Sequence, residues 1–175
     1  MQFQRITNVQ DPLFAPAWVL YEESFPLDER RSRIAQQALM TDEAYYFYAI
    51  CENGSFAGIF LLWKTEDFVY LEHFAVLPEL RCRGVGARAV RQLLSRYPAV
   101  ILEVDPPSDP ISLRRQRFYE RLGLVQNPYH HVQPPYQAGC RAKRLLILSR
   151  PALAPDAFSR FSSFFHSHVA VYTDL

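Results

Sequence analysis

The chain has 175 residues, 49% hydrophobic and 14% aromatic, with 19 Lys+Arg against 18 Asp+Glu for a net charge of +1. This suits one globular domain with a buried core and excludes a disordered or fibrous chain. Nucleic acid is not indicated as a partner, because the charge is near neutral and no nucleic-acid motif occurs. Cys51, Cys82 and Cys140 are too few and too scattered for a disulfide framework or a metal site, and they suit a reducing cytoplasm. The start lacks a signal-peptide pattern, and no apolar run reaches bilayer-spanning length, so no membrane is expected either.

Charge is unevenly placed. Residues 1–80 carry 5 basic against 12 acidic side chains, whereas residues 81–121 carry 9 arginines against 4 acids. A basic centre suits an anionic ligand and an acidic first half suits a cationic one.

In chain order, Phe3 to Ile6 forms a short strand. Phe14 to Ser24 is a helix, and Asp28 to Met40 is a second, with Asp28 as its cap. Ala44 to Cys51 and Phe56 to Lys64 are strands joined at Asn53-Gly54, a hairpin signal. Val69 to Val76 is an apolar strand stopped at Pro78. The turn Arg81-Cys82-Arg83-Gly84-Val85-Gly86 follows, then a helix to about Arg96. Ala99 to Val104 is a strand buried on both faces. After the Pro106–Pro110 loop, Asp109 caps a helix with Pro110 at its first position, running to Leu122 and closing at Gly123. Leu124 to Val132 and Ala142 to Leu148 form a closing pair of strands. Beyond Pro151, Phe158, Phe161 and Phe165 recur at helical spacing. The order implies an α/β protein of three layers, a mixed sheet with helices on both faces.

The turn at Gly84 and Gly86 is the most informative local feature. Two residues without Cβ allow close approach to the backbone, and the next helix opens with unpartnered N–H groups at its positive end. Together they make a cradle for phosphate.

The pattern Arg81-x-x-Gly84-x-Gly86, after Val76-x-Pro78-Glu79 and before Leu102-Glu103-Val104 and Phe118-Tyr119-Glu120-Arg121-Leu122-Gly123, resembles the GNAT superfamily of acyl-CoA-dependent N-acetyltransferases. The likeness is strong over residues 68–125 and extends as an order of elements over 1–148. It implies a GNAT domain over residues 1–150 and an α-β-α fold whose central sheet splays between the fourth and fifth strands. Residues 151–175 would be an extension, helical and packed on the domain or on a second protomer. The chain is then a monomer or a homodimer.

The resemblance also implies acetyl-CoA as cosubstrate and no metal. Its pyrophosphate would rest on Arg81, Cys82, Arg83, Gly84, Val85, Gly86, Ala87 and Arg88, and its pantetheine arm along Phe74, Ala75 and Val76. Some expected features differ: Ser112 and Arg115 stand where many relatives have Asn and Ala.

Acetyl transfer to an amine needs a base, a polarised carbonyl and an acid for the departing thiolate. The resemblance places the acid at Tyr119. Three side chains compete as base. Glu72 leads, as a carboxylate in an apolar strand whose burial would raise its pKa. Strand alternation puts it with Tyr70, Phe74 and Val76, and turns His73 the other way. Glu103 is the second candidate and His73 the third. Glu22, Glu23, Phe25 and Tyr136 are candidates for binding the acceptor, a small-molecule or protein amine. His130-His131 reads as a pair of surface or sheet-edge histidines, since adjacent residues do not easily share one ion. The alternative to an enzyme is a GNAT-fold module that binds CoA without efficient catalysis.

Overall fold

The apolar runs become eight strands and five α-helices in a computed structural model described over residues 1–172. Residues 173–175, the end of the expected extension, lie outside the described residues. The strands are β1 (Gln2–Ile6), β2 (Tyr45–Glu52), β3 (Ser55–Lys64), β4 (Val69–Val76), β5 (Val100–Val104), β6 (Val125–Gln126), β7 (His131–Gln133) and β8 (Lys143–Arg150). The helices are α1 (Phe14–Ser24), α2 (Arg33–Leu39), α3 (Val85–Arg96), α4 (Pro110–Glu120) and α5 (Pro155–Phe164), the last continued by a π-helical turn over Phe165–Val169.

The sheet runs β1-β2-β3-β4-β5-β8-β6, with β7 also on β8. Among the described residues only β4 and β5 are parallel; the other pairs are antiparallel. One face packs against α1 and α5, through Phe14, Trp18, Tyr21, Phe161 and Phe165. The other packs against α3 and α4, through Val85, Val90, Leu93 and Tyr119. Three layers result, as the order of elements implied. The phenylalanine-bearing tail covers the sheet of its own chain, with Phe161 and Phe165 buried against Tyr70.

Two features set up the site. β4 and β5 pair only at Val69–Val100, Tyr70–Ile101 and Leu71–Leu102, and no pairing between them follows. From Glu72 onward the facing edges are therefore parted, which is the expected splay. The second feature is a bulge. On β3, Leu61 pairs with His73 and Leu62 with Leu71, leaving Glu72 as the extra residue. A bulge shifts the phase of alternation. Glu72 and His73 consequently both serve the α1 face, where they meet Trp63 and Tyr21, while Phe74 and Val76 pack on the opposite face. The expected sharing of one face by Glu72, Phe74 and Val76, with His73 turned away, is corrected on this point.

Other boundaries move for local reasons. The second helix starts at Arg33, capped by the Ser32 hydroxyl, which accepts from Ala35 N at 3.2 Å. Asp28 lies in a short 3₁₀ turn instead, because the chain at Arg30 is extended and carries Arg31 into the core. Helix α4 ends at Glu120, two residues earlier than expected, and Gly123 turns left-handed at φ +89°. The strand expected over Leu124–Val132 is two short pieces on β8, with Asn127 between them holding the Ile147 carbonyl from both its backbone and side-chain nitrogens. Gly58 is required by close approach: a Cβ there would stand 2.4 Å from the Ala75 carbonyl oxygen.

Candidate active site

The parted end of β4 leads into the glycine turn. Gly84 caps α3 at φ +75°, a left-handed conformation that a side chain resists. A Cβ on Gly84 would come within 3.2 Å of Arg88 Nη1. The 12-residue helix α3 then offers its first N–H groups toward the turn. Arg81 Nε donates to the Val76 carbonyl at 3.1 Å and ties the turn to the end of β4. Arg83 and Cys82 are exposed. Arg88, expected to reach phosphate, is committed to Glu52 by two hydrogen bonds of 3.0 and 2.9 Å. The cradle thus fits a pyrophosphate through its backbone, with Arg81 and Arg83 beside it.

On the α1 side of the gap lies a cleft of about 70 Å³ lined by Phe25, Glu72, His73, Glu103, Arg115 and Tyr136, among others. Phe25 and Tyr136, two of the acceptor candidates, line this cleft; Glu22 pairs with Arg30 at 3.1 Å and is not among its lining residues.

Glu72 occupies the bulge with its carboxylate fully engaged. Oε1 lies 2.7 Å from Arg31 Nη1 and accepts from the Tyr136 hydroxyl at 2.8 Å, while Oε2 accepts from Trp63 Nε1 at 2.9 Å. Both members of the ion pair are 0% exposed. Burial opposes the charge, but Arg31 and the Trp63 donor outweigh it and hold the carboxyl below its usual range. The expected upward shift is corrected: this carboxylate is pinned as an anion. Arg31 is the residue that sequence reasoning missed. Its Nε and Nη2 donate to the carbonyls of Tyr172 at 2.8 Å and Val169 at 3.1 Å, and its plane lies 4.6 Å from the Tyr136 ring centre. An arginine in a presumed helix carries no signal of such burial.

His73 is neutral. Burial is the largest influence and, with Arg31, keeps its pKa below the ordinary histidine value despite Glu72 and the Glu29 carbonyl. Nε2 stands 2.8 Å from the Glu29 carbonyl, an acceptor, so the proton is on Nε2 and Nδ1 carries the lone pair.

Four carboxylates line the cleft: Glu29, Glu72, Glu103 and Asp105. Glu29 pairs with Lys143 at 2.6 Å, Asp105 with Arg115 at 2.8 Å and Glu72 with Arg31. Glu103 meets an imidazole instead, through direct contact of Oε1 with His131 Nε2. His131 is buried but lies on the edge strand β7, so the surface position is corrected and the sheet-edge one kept. Here a signal existed: of two adjacent residues on a strand, one faces inward.

Tyr119 sits on α4, one turn beyond Arg115, buried against Phe118. Burial, only partly offset by Arg115, pushes its phenol up to about 12. It therefore stays protonated and can donate. Ser112, at the position of the expected Asn, is occupied in a capping box with Asp109.

Residues 11–124 match the model of the acetyltransferase (GNAT) family. No curated protein matches the sequence. Among solved structures, a protein of Bacteroides thetaiotaomicron assigned to the GNAT family superposes with a TM-score of 0.91 at 26% identity, over 97% of this chain and 98% of that one. The ribosomal-protein-S18-alanine N-acetyltransferase of Escherichia coli gives 0.58 at 19% identity, over 89% and 96%. An aminoglycoside 6'-N-acetyltransferase complexed with coenzyme A gives 0.62 at 14%, over 86% and 96%. The last two show the shared fold alone.

Proposed function

Because the chain belongs to the GNAT acetyltransferase family, we propose that it moves an acetyl group from acetyl-CoA to a primary amine by direct attack on the thioester. The observation that carries this reading is the parting of β4 from β5 after Leu71 and Leu102, with the Gly84 cradle along β4 and a carboxylate-lined cleft on the α1 side. Acetyl-CoA, when bound, supplies an electrophilic carbonyl and a thiol leaving group. The backbone N–H groups between Arg81 and Arg88 would hold its pyrophosphate, those of Arg81 and Arg88 themselves being bonded to the Pro78 and Gly84 carbonyls, and the free edge at Phe74, Ala75 and Val76 would receive its pantetheine arm.

In this reading Glu103, which lines the cleft and touches His131, accepts the proton lost by the amine. Glu72 acts differently. Pinned by Arg31, Trp63 and Tyr136, it builds the wall of the cleft. Tyr119 gives its hydroxyl proton to the departing sulfur. Backbone N–H groups at the splayed end of β4 stabilise the negative oxygen. Phe25 and Tyr136 bracket the acceptor.

The acceptor class, small-molecule or protein amine, is open within this proposal. The fold neighbours named above take a protein alanine and an aminoglycoside, and a further one, from Vibrio cholerae, is a spermidine N-acetyltransferase. The three free cysteines accord with a reducing cytoplasm as the compartment.

The test is thermal stabilisation by acetyl-CoA followed by thiol release with ethanolamine, spermidine and an alanine-initiated peptide. Stabilisation and release support the enzyme. Stabilisation without release on any acceptor favours the binding module, and no stabilisation removes both.

A further inference from the structure

Glu103 and His131 come from separate strands on either side of β8. Glu103 pairs opposite Ile147 and His131 opposite Leu145, two residues apart on β8, so their side chains share one face of the sheet. They meet there, with side chains 6% and 2% exposed. The imidazole is fixed in turn by the tail. Its ring lies edge-on to Phe165 with centroids 4.8 Å apart, and 5.8 Å from Phe161. Glu103 also faces buried Tyr70, whose phenol is held well above its ordinary range by burial first and by Glu103 next. One carboxylate oxygen is thus engaged by the interior while the residue as a whole lines the cleft.

We propose that His131 is a positioning residue for acyl transfer: its Nε2–H holds Glu103 Oε1, leaving the other oxygen to meet the incoming amine. The proposal rests on the acyl-transfer reading above. The logic is orientational. A glutamate on the parted end of a strand has three side-chain torsions to fix, and a misplaced base loses much of its effect. His131, itself held by Phe165 and Phe161, supplies the missing constraint. The amine's proton goes to Glu103, and His131 forms no bond to substrate. Both His131 and the phenylalanines that hold it lie beyond residue 124, where the family match ends. This device therefore belongs to the C-terminal part of the chain.

The experiment compares His131→Phe and His131→Gln in the full chain, using the fastest acceptor among ethanolamine, spermidine and the alanine-initiated peptide. The glutamine amide can place an N–H where Nε2 stood; phenylalanine only fills the space. His131→Phe should lower kcat by roughly 10²-fold, the lower end of the range for a positioned base. It should also move the acid limb of the pH profile and leave the KM for acetyl-CoA unchanged. His131→Gln should recover most of the loss. Spectra of ¹⁵N-histidine-labelled protein provide a readout without turnover: a His131 Nε2–H signal, protected from exchange, should shift in Glu103→Gln. The proposal is overturned if His131→Phe keeps kcat and the acid limb. It is equally overturned if both variants lose activity in proportion to a fall in Tm, or if His131 is protonated at Nδ1 alone. Thiol release by the parent protein separates these failures from failure of the acyl-transfer reading. If no acceptor is turned over, both fall.

Discussion

Replacing Glu72 with glutamine separates its two possible roles. The substitution removes a negative charge against a guanidinium that is 0% exposed and 2.7 Å away, and it leaves Arg31 buried without a counter-ion. Breaking a buried pair in this way costs about 3–5 kcal/mol. For a domain of this size each kcal/mol lowers Tm by about 2–4 °C, so a fall of about 6–20 °C is expected. The effect should depend on pH in a defined direction. Glu72 has a folded pKa below its unfolded value, so its contribution is present above the ordinary carboxylate value of about 4.3 and is lost as pH falls through the folded pKa. The gap between parent and variant should therefore be full at pH 7 and shrink in acid below about pH 4. Urea unfolding at several pH values measures it, and Trp63, which donates to Glu72, makes fluorescence a direct reporter. A variant as stable as the parent at pH 7, yet without turnover, would refute the structural role and restore Glu72 as the base.

Other expectations concern the cofactor side, the acid and the tail. Gly84→Ala forces a Cβ into a left-handed residue beside Arg88, and should weaken acetyl-CoA binding about tenfold in calorimetry, equivalent to about 1.4 kcal/mol. Gly84→Asn should lose less, because asparagine tolerates that conformation. Tyr119→Phe should lower kcat by about 10²-fold with unchanged acetyl-CoA affinity. Since its phenol is pushed up to about 12, the parent's kcat should show no alkaline limb from this group below pH 10. Phe165→Ala empties a fully buried site against Tyr70 and His131, and should cost about 3–5 kcal/mol by urea unfolding.

The glycine turn was legible because its signals are local. A strand stop at Pro78, two glycines and a helix start within ten residues leave little choice of geometry. The capping box at Asp109 and the hairpin at Asn53-Gly54 were legible for the same reason. The carboxylate-lined cleft was not, because it is assembled from partners distant in sequence. Arg31 meets Glu72, His131 meets Glu103, and Lys143 meets both Asp28 and Glu29. The bulge at Glu72 was illegible for a different reason. Its residues are ordinary strand formers, and the extra residue shows only when β3 is laid alongside. That one unread irregularity reversed the assignment of His73 and changed the meaning of Glu72.

The bonds from Arg31 to Val169 and Tyr172 span 138 and 141 residues. Contacts between such distant positions close late, after the loop entropy between them has been met. On the ribosome, β4, the Gly84 turn and α3 emerge well before Val169 and Tyr172. The wall built on Glu72 therefore gains its fully anchored Arg31 only after residue 172 has emerged. A chain terminated before residue 169 would leave both of those arginine donors unspent.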